Sequence, residues 1–306
     1  MQRQLTIDRR VSLHKLEVLC LVVEHGGVGR AAEALFVAQP VVSAHIRSLQ
    51  ERLGTKLFYR EGRRLHLTES GRVVHAWAED VLARTHELDR YLAGLSEGSR
   101  GSVALGASMS LGSYRLPPVL TRFRRAHPAV DLRLGIADTE HGIEDARGGA
   151  LDFAVVVSDA DPGGPGLETE LLGHEELVLV TAADGEPAAA EIAPAQLSAL
   201  PFIEAPEGLV RRRFVDRSLK ELGVGERDVV LEFGHPEAMK RAAQAGLGVS
   251  MLFRSAVAEE IERGALREVR ISGADVRIPV YLVHRKGKEF SPVHRELLAQ
   301  VRAAFA

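Results

Sequence analysis

The stretch from Gly26 to Thr68 leaves this chain few ways to fold. Its apolar spacing predicts a short helix over 28–35, a turn at Phe36-Val37-Ala38 and a second helix opening at Pro40. Ala31, Ala32 and Leu35 form the inner side of the first helix, and alanines there let a second helix cross closely. Pro40 suits a first helical turn, where its missing N–H costs little. Val42, Ile46, Leu49 and Leu53 then make one buried stripe. The remaining face carries Gln39, Ser43, Ala44, Arg47 and Ser48. Short side chains allow close approach to a major groove, and amide, hydroxyl and guanidinium groups are the ones that read base edges. Gly54 ends the helix, because glycine takes the left-handed cap conformation at no steric cost.

A basic hairpin follows. Residues 55–60 lead to a turn at Glu61-Gly62, and Arg63 to Leu67 returns with Leu65 and Leu67 alternating with polar neighbours. Arg60, Arg63 and Arg64 are placed to contact phosphates or a minor groove. In this order and spacing, Arg30-Ala31-Ala32-Glu33-Ala34-Leu35, Gln39-Pro40-Val41-Val42-Ser43, Ile46-Arg47-Ser48-Leu49, Leu53-Gly54, Leu57-Phe58-Tyr59-Arg60 and Leu67-Thr68-Glu69-Ser70-Gly71 resemble the winged helix-turn-helix of LysR-type transcriptional regulators. The match has departures. Ala38 stands where the family usually has serine or threonine, and Gly27 and Gly29 where it often has serines. A lost N-cap hydroxyl costs on the order of 1 kcal/mol, which the fold tolerates. Arg30, Gln39, Pro40, Ser43, Arg47, Arg60, Arg63 and Arg64 are the candidate DNA-binding residues.

A formal net charge of −3 suits a DNA binder poorly until its distribution is considered. Residues 1–100 hold 15 Lys/Arg and 12 Asp/Glu, a net of +3, which leaves 24 and 30 for the rest, a net of −6. The excess of cations is local to the proposed reading head. The polar segment 1–10 lacks the apolar core of a signal peptide, and no apolar run is long enough to span a bilayer. A cytoplasmic location is therefore expected. Cys20, the single cysteine, excludes an internal disulfide and reads as core of a first helix over 13–25 that Ser12 would cap.

Thr68 is the expected cap of a long helix that reaches Leu95. Its apolar positions, among them Val73, Trp77, Leu88 and Leu92, exceed what one small domain can cover. The family pairs this linker helix with its mate across a dimer; the other reading packs it on the chain's own second half. Residues 97–101 form a flexible joint by composition. Beyond it, strands alternate with helices, which predicts a parallel α/β sheet with ligands at the carboxyl ends of its strands. The breaker cluster at 159–166 is the expected crossover between two lobes, with a return near 266–269. The fold class is thus an N-terminal winged helix-turn-helix over 1–68, a linker dimerisation helix over 69–97 and a two-lobed α/β effector-binding domain over 98–306. Lobe I would take about 102–160 and 268–306, and lobe II about 167–267. This second half is similar to type 2 periplasmic binding proteins.

Ser108, Met109 and Ser110 sit between a strand and a helix start. There, free N–H groups and hydroxyls suit a carboxylate, sulfate or phosphate. Thr139 follows the second strand as cap or ligand donor, while Ile203, Glu204, Gly208 and His235 come from the other lobe. The triplet Arg211-Arg212-Arg213 offers one cation to the cleft without revealing which. Enzyme motifs fail. Ser110 replaces the last glycine of a nucleophile elbow, and Met251 replaces the third glycine of a dinucleotide fingerprint after Gly246-Leu247-Gly248. His174-Glu175-Glu176 lacks the second histidine of a zinc motif, so no catalytic residue, metal or cofactor is expected.

The resemblance implies a regulator that binds double-stranded DNA at inverted repeats and senses a small, expectedly anionic, effector. It also implies a homodimer or homotetramer, with RNA polymerase as a candidate partner and no membrane. The competing readings are an α/β enzyme with a regulatory DNA-binding head and a constitutive DNA-binding assembly protein.

Overall fold

The computed structural model describes residues 11–62, 64–96 and 101–305, and of 87, 90, 91 and 93–96 only the backbone. Arg63 and most of the expected joint lie outside the described residues. The chain divides into two compact units, one ending at Leu92 apart from the short piece Arg147–Ala150, and one built from Ala93–Ala146 and Leu151–Ala306.

The first unit holds α1 (Leu13–Glu24), α2 (Val28–Ala34), α3 (Gln39–Leu53), the hairpin β1 (Phe58–Glu61) and β2 (Arg64–Leu67), and α4 (Glu69–Ser96) as far as Leu92. Ala31 and Ala32 are buried beneath Val42, Ile46 and Leu49 in one core with Leu16, Leu19 and Leu57. Side chains of this size contribute roughly 1.5–3 kcal/mol each when fully buried. Three local expectations need correction. Helix α3 opens one residue early, at Gln39, so Pro40 takes the second helical position. Leu35 closes α2 as its cap, because Phe36 turns into the left-handed region at φ 54°. Ser12 caps α1 through its carbonyl, which accepts from Lys15 and Leu16 N–H, and not through its hydroxyl. Thr68 does cap α4: its hydroxyl oxygen accepts from Gly71 N at 2.9 Å and its proton goes to Lys56 O at 2.7 Å. Gly71 is required there, since a Cβ would stand 2.0 Å from Leu57 O. Cys20 is half-buried, and burial pushes its thiol up to about 12, which leaves it protonated and inert.

The second unit begins with β3 (Ser102–Ser108), a π-helical turn (Leu111–Arg115) continuing as α5 (Leu116–Ala126), β4 (Asp131–Ala137), α6 (Thr139–Arg147) and β5 (Phe153–Val157). Then come β6 (Leu167–Ala182), β7 (Glu191–Ile192), a 3-10 turn (Pro194–Ala199), β8 (Pro201–Glu204), α7 (Val210–Glu221), β9 (Asp228–Glu232) and α8 (Pro236–Gln244). The chain closes with β10 (Ser250–Phe253), α9 (Arg254–Glu262), β11 (Leu266–Ile271), β12 (Arg277–Arg285) and α10 (Pro292–Phe305). β3 and β5 are apolar on both faces, as strands covered on both sides must be, and β3 runs parallel to both β4 and β5.

The expected parallel sheet is in fact mixed. The strand order is β4-β3-β5-β12-β6-β11-β7, with β10 on β6, and β12, β11 and β10 all run antiparallel to β6. The reason is the crossover. The run from 176 to 181 reads as a strand in the sequence, and it is the end of a 16-residue strand that itself carries the chain from one half to the other. Its first part pairs with β12 and its last part with β10 and β11. The return also comes later than expected: Leu266 to Val269 still pair with Ala182 to Leu179, and β12 makes the crossing. Helix α9 has no counterpart in the sequence expectation. β8 and β9 form a separate parallel pair, which Phe202 bridges to Val249.

Candidate functional site

In the first unit the candidate DNA-reading side chains lie on one helix and one hairpin. Gln39, Pro40 and Arg47 on α3 are exposed and Ser43 is half-buried. Arg60 and Arg64 are exposed on β1 and β2, whose register pairs Arg60 with Leu65 and Glu61 with Arg64. Arg30 is exposed on α2, its Nη2 donating to Gly26 O at 3.0 Å. Arg47 Nε lies 3.5 Å from Ser43 O. Among the described residues none of these four arginines is in an ion pair, so their charges remain open to an outside anion.

The second unit contains a cavity of about 180 Å³ whose walls come from both halves of the mixed sheet. Ser108, the last residue of β3, and Ser110, at the entry to the π-helical turn, contribute to one wall with Met109. Ser108 Oγ accepts from Val157 N at 3.3 Å, and Thr139 Oγ1 donates to Val157 O at 2.9 Å. These two hydroxyls therefore clamp the end of β5. Ser110 is only 6% exposed, lines the cavity, and has no hydrogen-bond partner among the described residues. Asp138 caps α6 through His141 N at 2.9 Å and takes His141 Nδ1 at 2.6 Å. Partial burial opposes its charge, but these hydrogen bonds outweigh it and hold Asp138 below the usual carboxylate value.

The opposite wall is the loop entering α7, from Gly208 at φ +90° to Arg211, with Gly234, Pro236 and Phe253. The arginine triplet is now resolved. Arg211 turns inward and donates to two neutral acceptors, Met251 O at 3.0 Å and Met239 Sδ at 2.8 Å. Arg212 lies in an ion network with Glu204, Asp216 and Glu232. Arg213 is exposed and bonds Gly208 O. No carboxylate pairs with Arg211 among the described residues, and burial lowers its pKa to about 10.

Three expected cleft residues stand elsewhere. Ile203 is fully buried in the core against Met239 and Ala243, because β8 is covered on both faces. Glu204 is buried between Arg212 and Arg227, each at 2.7 Å. His235 is exposed and caps α8, its Nδ1 accepting from Glu237 N. Thr139 lines the cavity but is the first residue of α6, and Asp138 is the cap. Sequence reasoning misses Phe253, whose place on the cavity wall depends on sheet order, and the bond that Tyr114 donates to Glu237 at 2.9 Å.

Comparison with known proteins agrees with both halves. Residues 13–72 match the model of the bacterial regulatory helix-turn-helix protein, lysR family, and residues 96–306 match the LysR substrate binding domain. The RuBisCO operon transcriptional regulator of Allochromatium vinosum is 31% identical over 284 residues, covering 92% of each chain. A full-length OxyR variant from Pseudomonas aeruginosa superposes with a TM-score of 0.61 at 21% identity, over 97% of this chain and 95% of that one. Full-length CbnR in complex with its target DNA does so with a TM-score of 0.57 at 22% identity, over 96% of this chain and all of CbnR, 100%. With an unpaired basic face on a winged helix-turn-helix and a two-walled cavity behind it in sequence, the chain belongs to the LysR family of DNA-binding transcriptional regulators with an effector-binding domain.

Proposed function

We propose that the chain is a ligand-responsive regulator that binds inverted-repeat operators and senses a small molecule bearing an anionic group. The observation that supports the sensing is the buried Ser110 hydroxyl on one wall, unpartnered among the described residues, facing a space whose other wall carries the half-buried Arg211, which donates there to two neutral acceptors. Arg211 is in no ion pair among the described residues, and the nearby Glu204 is held by Arg212 and Arg227, so its charge is left for a ligand. Ser108, Met109, Ser110, Thr139 and Gly208 supply the rest of the contact surface.

Gln39, Ser43 and Arg47 are the base-edge residues of this proposal, Pro40 sets the entry of the helix, and Arg30, Arg60, Arg63 and Arg64 hold phosphates or a minor groove. Helix α4, with residues 69–97 as the linker, pairs with its mate in a homodimer that assembles further to a tetramer. In its support, Val73, Leu88 and Leu92 are apolar and exposed on one helix. Two reading heads related by a twofold axis then meet half-sites about one helical turn apart. CbnR in complex with its target DNA is a precedent in the same fold. The protein acts in the cytoplasm, where operators and RNA polymerase are met; among the described residues no helix is long and apolar enough to cross a membrane.

Selection of operators from random duplexes tests the DNA part. Gln39→Ala should relax preference at one base pair per half-site by roughly 1–3 kcal/mol. Equal loss on every sequence would assign Gln39 to the backbone instead, and recovery of sites without twofold symmetry would overturn the inverted repeat.

A further inference from the structure

The cavity's charges are not those of a plain anion site. Arg211 and the hydroxyls of Ser108 and Ser110 can receive a carboxylate. Two carboxylates, Asp138 and Glu140, line the same small space from the start of α6. Glu140 is weakly satisfied: its nearest cation is Arg213, at 3.9 Å, and its side chain is 77% exposed. A ligand carrying only negative charge would meet Arg211 and then face both carboxylates, whereas one carrying both signs would satisfy both sets. Between them Met109, Val157, Leu209 and Phe253 give an apolar surface. The volume of about 180 Å³ lies below the roughly 300–1,000 Å³ of sites for drug-sized ligands, which points to a single small metabolite.

We propose that this cavity takes a zwitterion, a small α-amino acid with an apolar side chain, its carboxylate held by Arg211 and Ser110 and its ammonium by Asp138 and Glu140. The proposal rests on reading the cavity as the effector site, and it adds a cationic group to the ligand expected there. The unpartnered, nine-tenths buried Ser110 hydroxyl marks the carboxylate end. The two carboxylates Asp138 and Glu140, at the start of α6, mark the ammonium end.

Titration calorimetry on the full chain tests this, with L-valine, L-leucine, L-methionine and L-phenylalanine, each beside its desamino carboxylate and its amide. At least one amino acid should bind tenfold or more tightly than both of its truncated partners. Glu140→Gln should erase most of the preference over the carboxylate, and Ser110→Ala most of the preference over the amide; both substitutions are small and sit at the cavity wall. A carboxylate that binds as tightly as its amino acid would overturn the zwitterion and leave the effector site standing. Absence of binding by all four amino acids would overturn it as well. Binding that survives Val210→Phe, which fills the cavity from the first residue of α7, would place the ligand elsewhere and overturn the effector-site reading itself.

Discussion

Glu204 separates a ligand-binding residue from a structural one. Replaced by glutamine, it should destabilise the second unit without touching the cavity directly, because it does not line that space. Its side chain is 5% exposed, with Oε1 2.7 Å from Arg227 Nε as an aligned hydrogen bond and Oε2 2.7 Å from Arg212 Nε as a close ion pair. Removing one partner of a buried pair costs about 3–5 kcal/mol, because the stranded charge has lost its solvent as well. Here the loss falls at the lower end. Asp216 still holds both arginines, and Glu232 still reaches Arg212 at 3.2 Å. About 3 kcal/mol in a domain of this size lowers Tm by roughly 6–12 °C. Scanning calorimetry of the full chain measures it, with effector affinity measured below the transition. A Tm change under about 2 °C, well short of that range, with effector binding abolished would refute the reasoning, since that is what a ligand-contacting carboxylate would give.

Other outcomes follow from single contacts. Gly71→Ala would gain about 1 kcal/mol of helix propensity if space allowed, but its Cβ meets Leu57 O at 2.0 Å, and overpacking of this kind costs about 1–3 kcal/mol. The variant should therefore unfold at lower denaturant concentration, and a stabilised variant would show that α4 moves away from Leu57 at little cost. Arg64→Ala should reduce the slope of log K against log salt by about one without changing sequence preference; an unchanged slope removes Arg64 from the phosphate contacts. Burial opposes the charge of Asp152, but His294, Lys288 and Ala104 N–H outweigh it and hold the carboxyl well below its usual range. With the folded pKa below the unfolded one, its stabilisation is complete above the ordinary aspartate value of about 3.9 and is lost as pH falls. Asp152→Asn should thus be less stable at neutral pH and lose less on acidification than the parent, and parallel pH curves for the two would contradict this.

What the sequence made legible was whatever a local pattern decides. The stripe Val42, Ile46, Leu49 and Leu53 follows from helical period alone; the first three are buried, and Leu53, in the last turn, is half-buried. Thr68 and the Gly54 stop rest on cap chemistry within a few residues, and both act as expected. The failures are non-local. A 16-residue strand reads as a six-residue one because its first part, Leu167 to Glu175, carries polar residues on the face left half-open beside β12. Ile203 and Glu204 are expected in the cleft because they end a strand, but β8 does not belong to the large sheet and its end meets α7 and β9. Arg211, Arg212 and Arg213 cannot be told apart in sequence, since consecutive residues on a helix point about 100° apart and the inward direction is set by Met239 and Met251, far along the chain.

Side chains link the two halves of the second unit around the cavity. Tyr114 donates to Glu237, Arg217 to Asp159 at 3.1 Å, and Arg213 stands 3.9 Å from Glu140. The latter two links are largely exposed, and pairs of that kind contribute about 0.2–1 kcal/mol each. Together they cannot lock the walls, and they do not need to. Moving a two-state balance from 1:99 to 99:1 takes about 5.5 kcal/mol of differential binding. A ligand can supply that only through contacts that exist in one state and not the other. Ser110 and Asp138 lie on one wall and Arg211 on the other, so the proposed ligand would add its contact with Arg211 only while the walls are close. Contacts confined to one wall would add affinity and shift nothing. On the proposed reading, the division of the cavity's polar groups between two halves of the sheet, with β6 and β12 as the crossing strands, would let binding energy become a change of state.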